Sequence, residues 1–374
     1  MPDGSKQYRV AIVGAGGIAG HRHMPAIRAQ SDRIDVVAAV DVDGDRAAAF
    51  AAEWGIPDSY TDLDTMLAAA RPDLAIICTP PVAHHAGVKA CLEAGVWVWC
   101  EKPPVLSLAE FDALGALERE GGPYVGYVFQ HRFGSAARTL RRQIADGTLG
   151  RALVGVCHTL WYRDHAYFEV PWRGKWETEG GGPTMGHGIH QMDLMLSLLG
   201  DWREVRALMG TLDRRVETED VSLAAVQFES GALVSVVNSV LSPREESYLR
   251  FDFSDATVEV SHLYGYGNSN WKWTPRKGVA EDVAAGWLPA DDVSSSHTVQ
   301  LTDYVGSMDR DERPAASGAD GRRSMELISG LYQSAITGLP VLRSDLEPGN
   351  PFYDHLDGGG QYHPATTETA EVAR

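Results

Sequence analysis

Long hydrophobic runs are missing from this 374-residue chain. No stretch approaches the ~18 uncharged apolar residues that a spanning helix requires, so no membrane partner is expected. The opening residues, MPDGSKQYRV, carry no apolar core of the signal-peptide kind. Cysteine is scarce: Cys78, Cys91, Cys100 and Cys157, with no CxxC spacing. That is too sparse for a disulfide framework and lacks the paired ligands of a zinc site. Reduced, mostly buried thiols in a cytoplasmic protein are expected. Positive charge is short too, with 33 Lys and Arg against 51 Asp and Glu, a net charge of −18. Such a surface repels nucleic acid and anionic membranes over most of its area. What remains is ordinary globular composition, 44% hydrophobic and 22% charged. With this length it predicts two domains and two cores. There is no internal repeat.

The first 125 residues alternate apolar runs with helical patterns. The runs are Tyr8–Val13, Ile34–Val40, Leu74–Cys78, Val96–Cys100 and Tyr124–Val128. Ala-rich stretches separate them, which argues for a parallel sheet covered on both faces. After residue 125 the texture changes. A helix is expected over 135–147, a long strand over Leu153–Tyr162, and a helix from about His187 to Leu199 after Gly180–Gly182. Strand-like segments follow at 204–210, 221–229, 232–241, 247–253 and 256–261, with a hairpin signal at Glu229–Gly231. Helices near 297–309 and 322–337 close the chain. The expected architecture is an α/β nucleotide-binding domain over 1–125. An α+β domain with a mostly antiparallel sheet follows over 126–345, then an irregular tail over 346–374.

Gly14-Ala-Gly16-Gly17-Ile18-Ala19 follows the first strand and opens the first helix. Gly14 permits the tight turn, Gly16 lets backbone approach a pyrophosphate, and the small Ala19 lets helix and sheet pack closely. The helix N-terminus adds oriented N–H groups. Asp41 ends the second strand, where a carboxylate binds a ribose 2′-hydroxyl and repels a 2′-phosphate, so NAD is the expected cofactor. The same carboxylate would also serve as a helix N-cap. Pro25 lies inside the predicted first helix and should kink or shorten it.

Val98-Trp-Cys-Glu101-Lys102-Pro103-Pro104 leaves the fourth apolar run. Ligands of open parallel sheets bind beyond the carboxyl ends of strands. Lys102 is therefore expected at a crevice edge, where a lysine can relay a proton. A cis peptide is expected at Lys102–Pro103. Further on, Trp161-Tyr-Arg163-Asp-His165-Ala-Tyr167 and Trp172-Arg173-Gly-Lys175-Trp176 crowd aromatic and basic residues, and the aromatic cluster Trp271-Lys-Trp273 adds to them, a composition that suits sugar C–H faces and hydroxyls or anions. The bases hint at an anionic sugar; a packed loop over the sheet is the other reading. The tail residues Tyr353, His355, Tyr362 and His363 are candidates to reach a neighbouring subunit. The pairs His21/His23, His84/His85 and His187/His190 lack residues to complete a ligand set, so no metal is expected.

GAGGIA near the start, Cys78-Thr79-Pro80-Pro-Val-Ala-His84 and Glu101-Lys102-Pro103 together resemble the glucose–fructose oxidoreductase and inositol dehydrogenase family (Gfo/Idh/MocA). Gly126-Tyr-Val-Phe-Gln-His-Arg132-Phe133 resembles its segment entering the second domain. Gly180-Gly-Gly182 with Gly188-Ile-His190-Gln-Met-Asp193 resembles its catalytic helix. The resemblance runs from about residue 8 to 343. It implies a Rossmann domain and a second domain whose large open sheet makes a homodimer or homotetramer. It also implies hydride transfer between nicotinamide and a carbon of a sugar or polyol. On this resemblance Lys102 meets the reacting hydroxyl, His190 is the acid/base, and Asp193 binds a substrate hydroxyl. Thr79, Pro80, His84 and Glu101 line the cofactor. At 100° per residue Gly186, His190, Asp193 and Ser197 share one helical face. Arg132, Arg163, Trp172, Arg173 and His187 join the expected substrate side.

One position departs from the pattern. The family places Asp four residues before the histidine, and this chain has Gly186. Either another group such as His187 takes over in a sugar dehydrogenase, or the chemistry is that of a glycosidase that oxidises transiently and recycles NAD internally. A non-catalytic nucleotide sensor is the third possibility, opposed by the presence of both Lys102 and His190.

Overall fold

The computed structural model describes residues 6–363, which divide into two compact units. The first unit holds a six-stranded sheet of β1 (Tyr8–Val13), β2 (Ile34–Val40), β3 (Asp58–Tyr60), β4 (Leu74–Ile77), β5 (Trp97–Cys100) and β6 (Val125–Tyr127). Its order is β3-β2-β1-β4-β5-β6 and every pairing is parallel. The order in which strands are added reverses between β1 and β4, the switch point where ligands of such sheets bind. β1 and β4 are almost wholly buried, which is why they read as unbroken apolar runs. β3 has only three residues, none of them buried, and it left no hydrophobic signal.

The second unit holds an eight-stranded sheet of β7 (Ala152–Tyr162), β8 (Trp202–Gly210), β9 (Val221–Phe228), β10 (Leu233–Ser239), β11 (Leu241–Phe253), β12 (Ala256–Ser261), β13 (Trp271–Pro275) and β14 (Val341–Leu342). The order is β13-β12-β11-β7-β10-β9-β8-β14, antiparallel except for β10 beside β7. β9 alternates buried and open residues along its length, the signature of a sheet covered on one face. The helix Ile189–Leu199, buried at nine of its eleven positions, is part of this unit's core.

Two expected boundaries move. The helix His297–Asp309 belongs to the first unit, and residues 106–109 to the second. The reason is packing. Leu301, Tyr304, Val305 and Met308 join the buried cluster that contains Val10, Ile12, Leu74 and Trp99. Gln300 donates to the Tyr127 carbonyl at 2.7 Å and accepts the Phe129 N–H at 3.1 Å, capping the last parallel strand. The tail is also less irregular than expected. Residues 351–354 form a short helix, and Phe352, Tyr353 and Leu356 are buried. Tyr362 bonds Thr211 of its own chain at 2.8 Å, so this side chain is not held out for a neighbour. The tail residues 364–374 lie outside the described residues. Among the described residues no helix is long and apolar enough to cross a membrane.

Candidate functional site

The first unit's site begins where β1 ends. Gly14 has φ +94°, and a Cβ there would lie 2.8 Å from both the Cys78 carbonyl carbon and the Thr79 nitrogen. Only glycine fits that turn. Gly16 is the opposite case: a Cβ there meets nothing within 4 Å, so its open side leaves the room a diphosphate needs. Gly17 and Ile18 are exposed on the same turn, and Ala19 is fully buried. The chain then makes a π-helical turn, Ala19–His23, and a five-residue helix, Met24–Arg28. Pro25 stands in that helix's first turn, where its missing N–H is harmless, and the first helix is indeed divided.

Asp41 ties this turn to the second strand. Its buried carboxylate accepts the N–H groups of Ala15 and Asp43, each at 3.0 Å, and a two-point contact from Arg46 at 2.9 and 2.6 Å. Burial alone would raise this carboxyl; Arg46 and the two N–H groups outweigh it and hold it below its ordinary range. The helix cap is Asp43, which accepts Arg46 N–H at 3.1 Å, so Asp41 is not the N-cap.

Thr79 adjoins the Gly14 turn. Its hydroxyl is buried without a hydrogen-bond partner among the described residues, while Pro80 is exposed. An orphaned hydroxyl beside an open glycine turn, at the carboxyl ends of β1 and β4, fits a bound dinucleotide.

His84 and Glu101, also expected at the cofactor, are both buried. His84 is fully buried, with its ring nitrogens 2.7 Å from the Pro103 carbonyl and 2.8 Å from that of Thr79. Burial lowers its pKa, and the two carbonyls oppose that shift. Glu101 is buried against His23 at 2.7 Å and His297 at 3.6 Å. Burial alone would raise it; the two histidines outweigh burial and hold the carboxyl well below its usual range. Two ligands of one tetrahedral zinc would stand about 3.3 Å apart, so the 2.7 Å contact is a hydrogen bond. Glu101 also accepts the Lys102 N–H at 3.2 Å. Both residues therefore position their neighbours, His84 fixing Thr79 and Glu101 fixing Lys102. Lys102 is half-buried, and the Lys102–Pro103 peptide is cis, as expected.

The second unit's candidate residues gather around the helix Ile189–Leu199. The chain enters it through Gly180–Gly182. A Cβ on Gly182 would stand 1.8 Å from the Glu219 carbonyl oxygen. The buried Glu219 carboxyl, pushed up to about 7 by burial, accepts the N–H groups of Gly182 at 2.9 Å and Thr184 at 3.1 Å. Thr184–Gly188 is a π-helical turn, and regular helix starts only at Ile189. The wider turn breaks the uniform 100° spacing expected between Gly186 and His190.

His190 is buried, with its ring 5.3 Å from His131 and 5.6 Å from Tyr264. His187 packs edge-on to Trp161 at 5.1 Å and reaches the Tyr167 hydroxyl at 3.4 Å. Arg173 stacks on Tyr167 at 3.9 Å and on Trp172 at 4.3 Å; Arg163 lies 5.0 Å from the Trp161 ring. Arg132 and Asp193 are corrected by the geometry. Both are buried, and the Arg132 guanidinium holds the Asp193 carboxylate at two points, one of them Nε to Oδ2 at 2.9 Å. A carboxylate so occupied and sealed from solvent braces the helix. Sequence reasoning missed Arg46, His297 and Glu179, and it met His23 and Tyr167 without giving them these roles. Glu179 left a signal of its own, as the acid directly before the glycine triplet.

An open glycine turn at the switch point of a parallel sheet, in a chain whose second unit is built on a large mixed sheet, marks a two-domain dinucleotide-binding protein. Residues 8–129 match the model of an oxidoreductase family with an NAD-binding Rossmann fold, and residues 137–261 match the GFO/IDH/MocA C-terminal domain. The chain belongs to the GFO/IDH/MocA family. It is 27% identical over 362 residues to the D-glucoside 3-dehydrogenase of Escherichia coli, covering 90% of this chain and 98% of that one. It is 26% identical to the D-apiose dehydrogenase of Paraburkholderia graminis, covering 95% and 94%. Among solved structures, the WlbA dehydrogenase from Bordetella pertussis in complex with NADH and UDP-GlcNAcA aligns with a TM-score of 0.81 at 26% identity. That alignment covers 91% of this chain and 99% of that one.

Proposed function

We propose that this chain oxidises a sugar or polyol hydroxyl, or reduces the matching ketone, with NAD as hydride partner. The observation that carries the reading is the glycine turn, packed at Gly14 against Thr79 with its orphaned hydroxyl and open at Gly16, in a family whose full-length relatives include sugar dehydrogenases. NAD, when bound, supplies the hydride acceptor. Gly14, Gly16, Gly17, Ile18 and Ala19 hold its diphosphate, Asp41 takes a ribose hydroxyl, and Thr79 and Pro80 flank the rest. Lys102 meets the reacting hydroxyl and relays its proton. His190 takes the proton as the carbon is oxidised and returns it in the reverse direction. Trp172, Arg173, Arg163 and His187 form the sugar side. The four cysteines carry no disulfide, which supports a cytoplasmic location.

The decisive experiment incubates the protein with NAD and a panel of sugars and glycosides while following absorbance of NADH. Stoichiometric NADH is expected. Aglycone release without NADH would instead mark internal recycling of the cofactor, and no reaction or nucleotide binding would defeat the reading.

Two further expectations belong here. In Asp41→Ser the repulsive carboxylate is gone and Arg46 is released. The ratio of kcat/KM for NADP over NAD should rise roughly 10–100-fold, because a guanidinium then meets a 2′-phosphate. An unchanged ratio removes Asp41 from the ribose site. The second expectation concerns assembly into a homodimer or homotetramer through the second sheet. Leu208 and Leu223 pair across β8 and β9, and Val154 and Leu233 across β7 and β10. Their exposures are 72%, 49%, 52% and 57%. Apolar side chains so exposed on one sheet face support burial against a second copy. Leu223→Glu should convert the assembly to monomer in light-scattering chromatography, and an assembly of unchanged mass would exclude this face.

A further inference from the structure

Two arginines flank one tyrosine ring in the second unit. Arg173 lies 3.9 Å from the centre of Tyr167, and Arg163 lies 5.5 Å from it. Such a pair invites an anionic ligand, yet each cation already has a carboxylate. Arg163 pairs with Glu245 at 2.9 Å, and Arg173 with Glu179 at 3.4 Å. Along the segment 161–179 the bases Arg163, Arg173 and Lys175 are outnumbered by Asp164, Glu169, Glu177 and Glu179.

Glu179 is the notable member. Its side chain is only 6% exposed, and it is fixed by the Gly174 N–H at 2.6 Å on Oε2. Its other oxygen, Oε1, faces the helix turn before His190. A Cβ placed on Gly186 would stand 3.6 Å from that oxygen. From 181 to 190 every residue is buried except Gly186, which is half-buried. The glycine thus leaves a gap that solvent reaches, and a carboxylate oxygen from seven residues upstream borders it.

We propose that Glu179 is a specificity-determining residue: it cancels the charge of Arg173 and presents a hydrogen-bond acceptor at the Gly186 gap, so the site takes a neutral hydroxylated sugar and rejects a carboxylated or sulfonated one. The inference rests on the sugar-oxidoreductase reading above. A sugar hydroxyl donates to a carboxylate, whereas a uronate would place a like charge beside it where screening by water is weak. Aspartate, with the same charge and a shorter reach, retains the discrimination in part. Glutamine keeps the shape and exposes Arg173.

The test measures equilibrium binding of a neutral hexopyranoside and of the uronic acid with the same ring configuration, on full-length protein with NADH added. Wild type is expected to bind the neutral sugar at least ~10-fold more tightly. Glu179→Gln should narrow or invert that ratio by ~10-fold or more, with Glu179→Asp in between. Glu245→Gln, at a pair partly open to solvent, provides a second readout should Glu179→Gln not fold, and it should move the ratio in the same direction. Tighter uronate binding by wild type, binding of neither sugar, or an equal loss of both sugars in Glu179→Gln would overturn the inference. Neutral-sugar preference without any NADH formation in the oxidation assay would instead overturn the oxidoreductase reading and leave the charge-based selection standing.

Discussion

Lys102→Ala is expected to cut turnover by ~10²–10⁴, the range for removing a proton-transfer group, while nucleotide binding stays near wild type. The separation follows from local structure. The glycine turn is built by Gly14 against Cys78 and Thr79, and by Asp41 against the Ala15 N–H. None of these contacts involves the Lys102 side chain. Lys102 leaves the end of β5, and its own N–H is pinned by Glu101, which is pinned in turn by His23 and His297. The ammonium is therefore delivered from a backbone anchored on the buried side. Lys102→Arg should rescue little, because a guanidinium keeps its proton and differs in shape. NADH fluorescence titration and steady-state kinetics together decide the matter. Turnover within about threefold of wild type in Lys102→Ala would remove this lysine from the reaction.

Legibility in the sequence followed burial and period. β1 and β2 were readable to the residue because parallel strands buried on both faces are continuous apolar runs. The glycine turn was readable because only glycine tolerates the approach of Cys78 and Thr79 to position 14. Elements with few buried residues were not: β3 has none buried, and β13 presented itself as an aromatic cluster. The domain boundary was misplaced because the helix His297–Asp309 has an apolar face that says it packs but not on what. The buried contacts of that face with the first sheet's core, and the long-range bonds of Gln300 and Tyr304 to the β5–β6 region, assign it. Four of the expected site residues share one setting. His84, Glu101, Arg132 and Asp193 are polar residues in recognisable motifs, yet all are buried: His84 against two backbone carbonyls, Glu101 against two histidines, and Arg132 against Asp193. A motif records that a residue matters, and burial decides whether it meets a ligand or holds one that does. The charge pairing of Arg163 and Arg173 was hidden for a related reason. Glu245 stands 82 residues from its arginine, across the sheet.

Asp193 provides the second large effect, and its size distinguishes the two roles. As a substrate ligand, its loss would raise KM and leave the melting temperature alone. As the partner of Arg132, both side chains being buried, its loss strands a guanidinium away from water. Breaking such a pair costs ~3–5 kcal/mol. At roughly 2–4 °C per kcal/mol for a unit of this size, Asp193→Ala should lower the melting temperature by roughly 6–20 °C. Activity should fall with it, since His190 lies three residues earlier on the same helix. The reverse change supplies the control. Replacing both partners by apolar residues of similar volume, as in Arg132→Met with Asp193→Leu, removes the stranded charge and should recover most of the lost stability, because the desolvation of both ions is removed together. A shift below ~2 °C in the single variant would show that the pair contributes little, and would return Asp193 to the substrate.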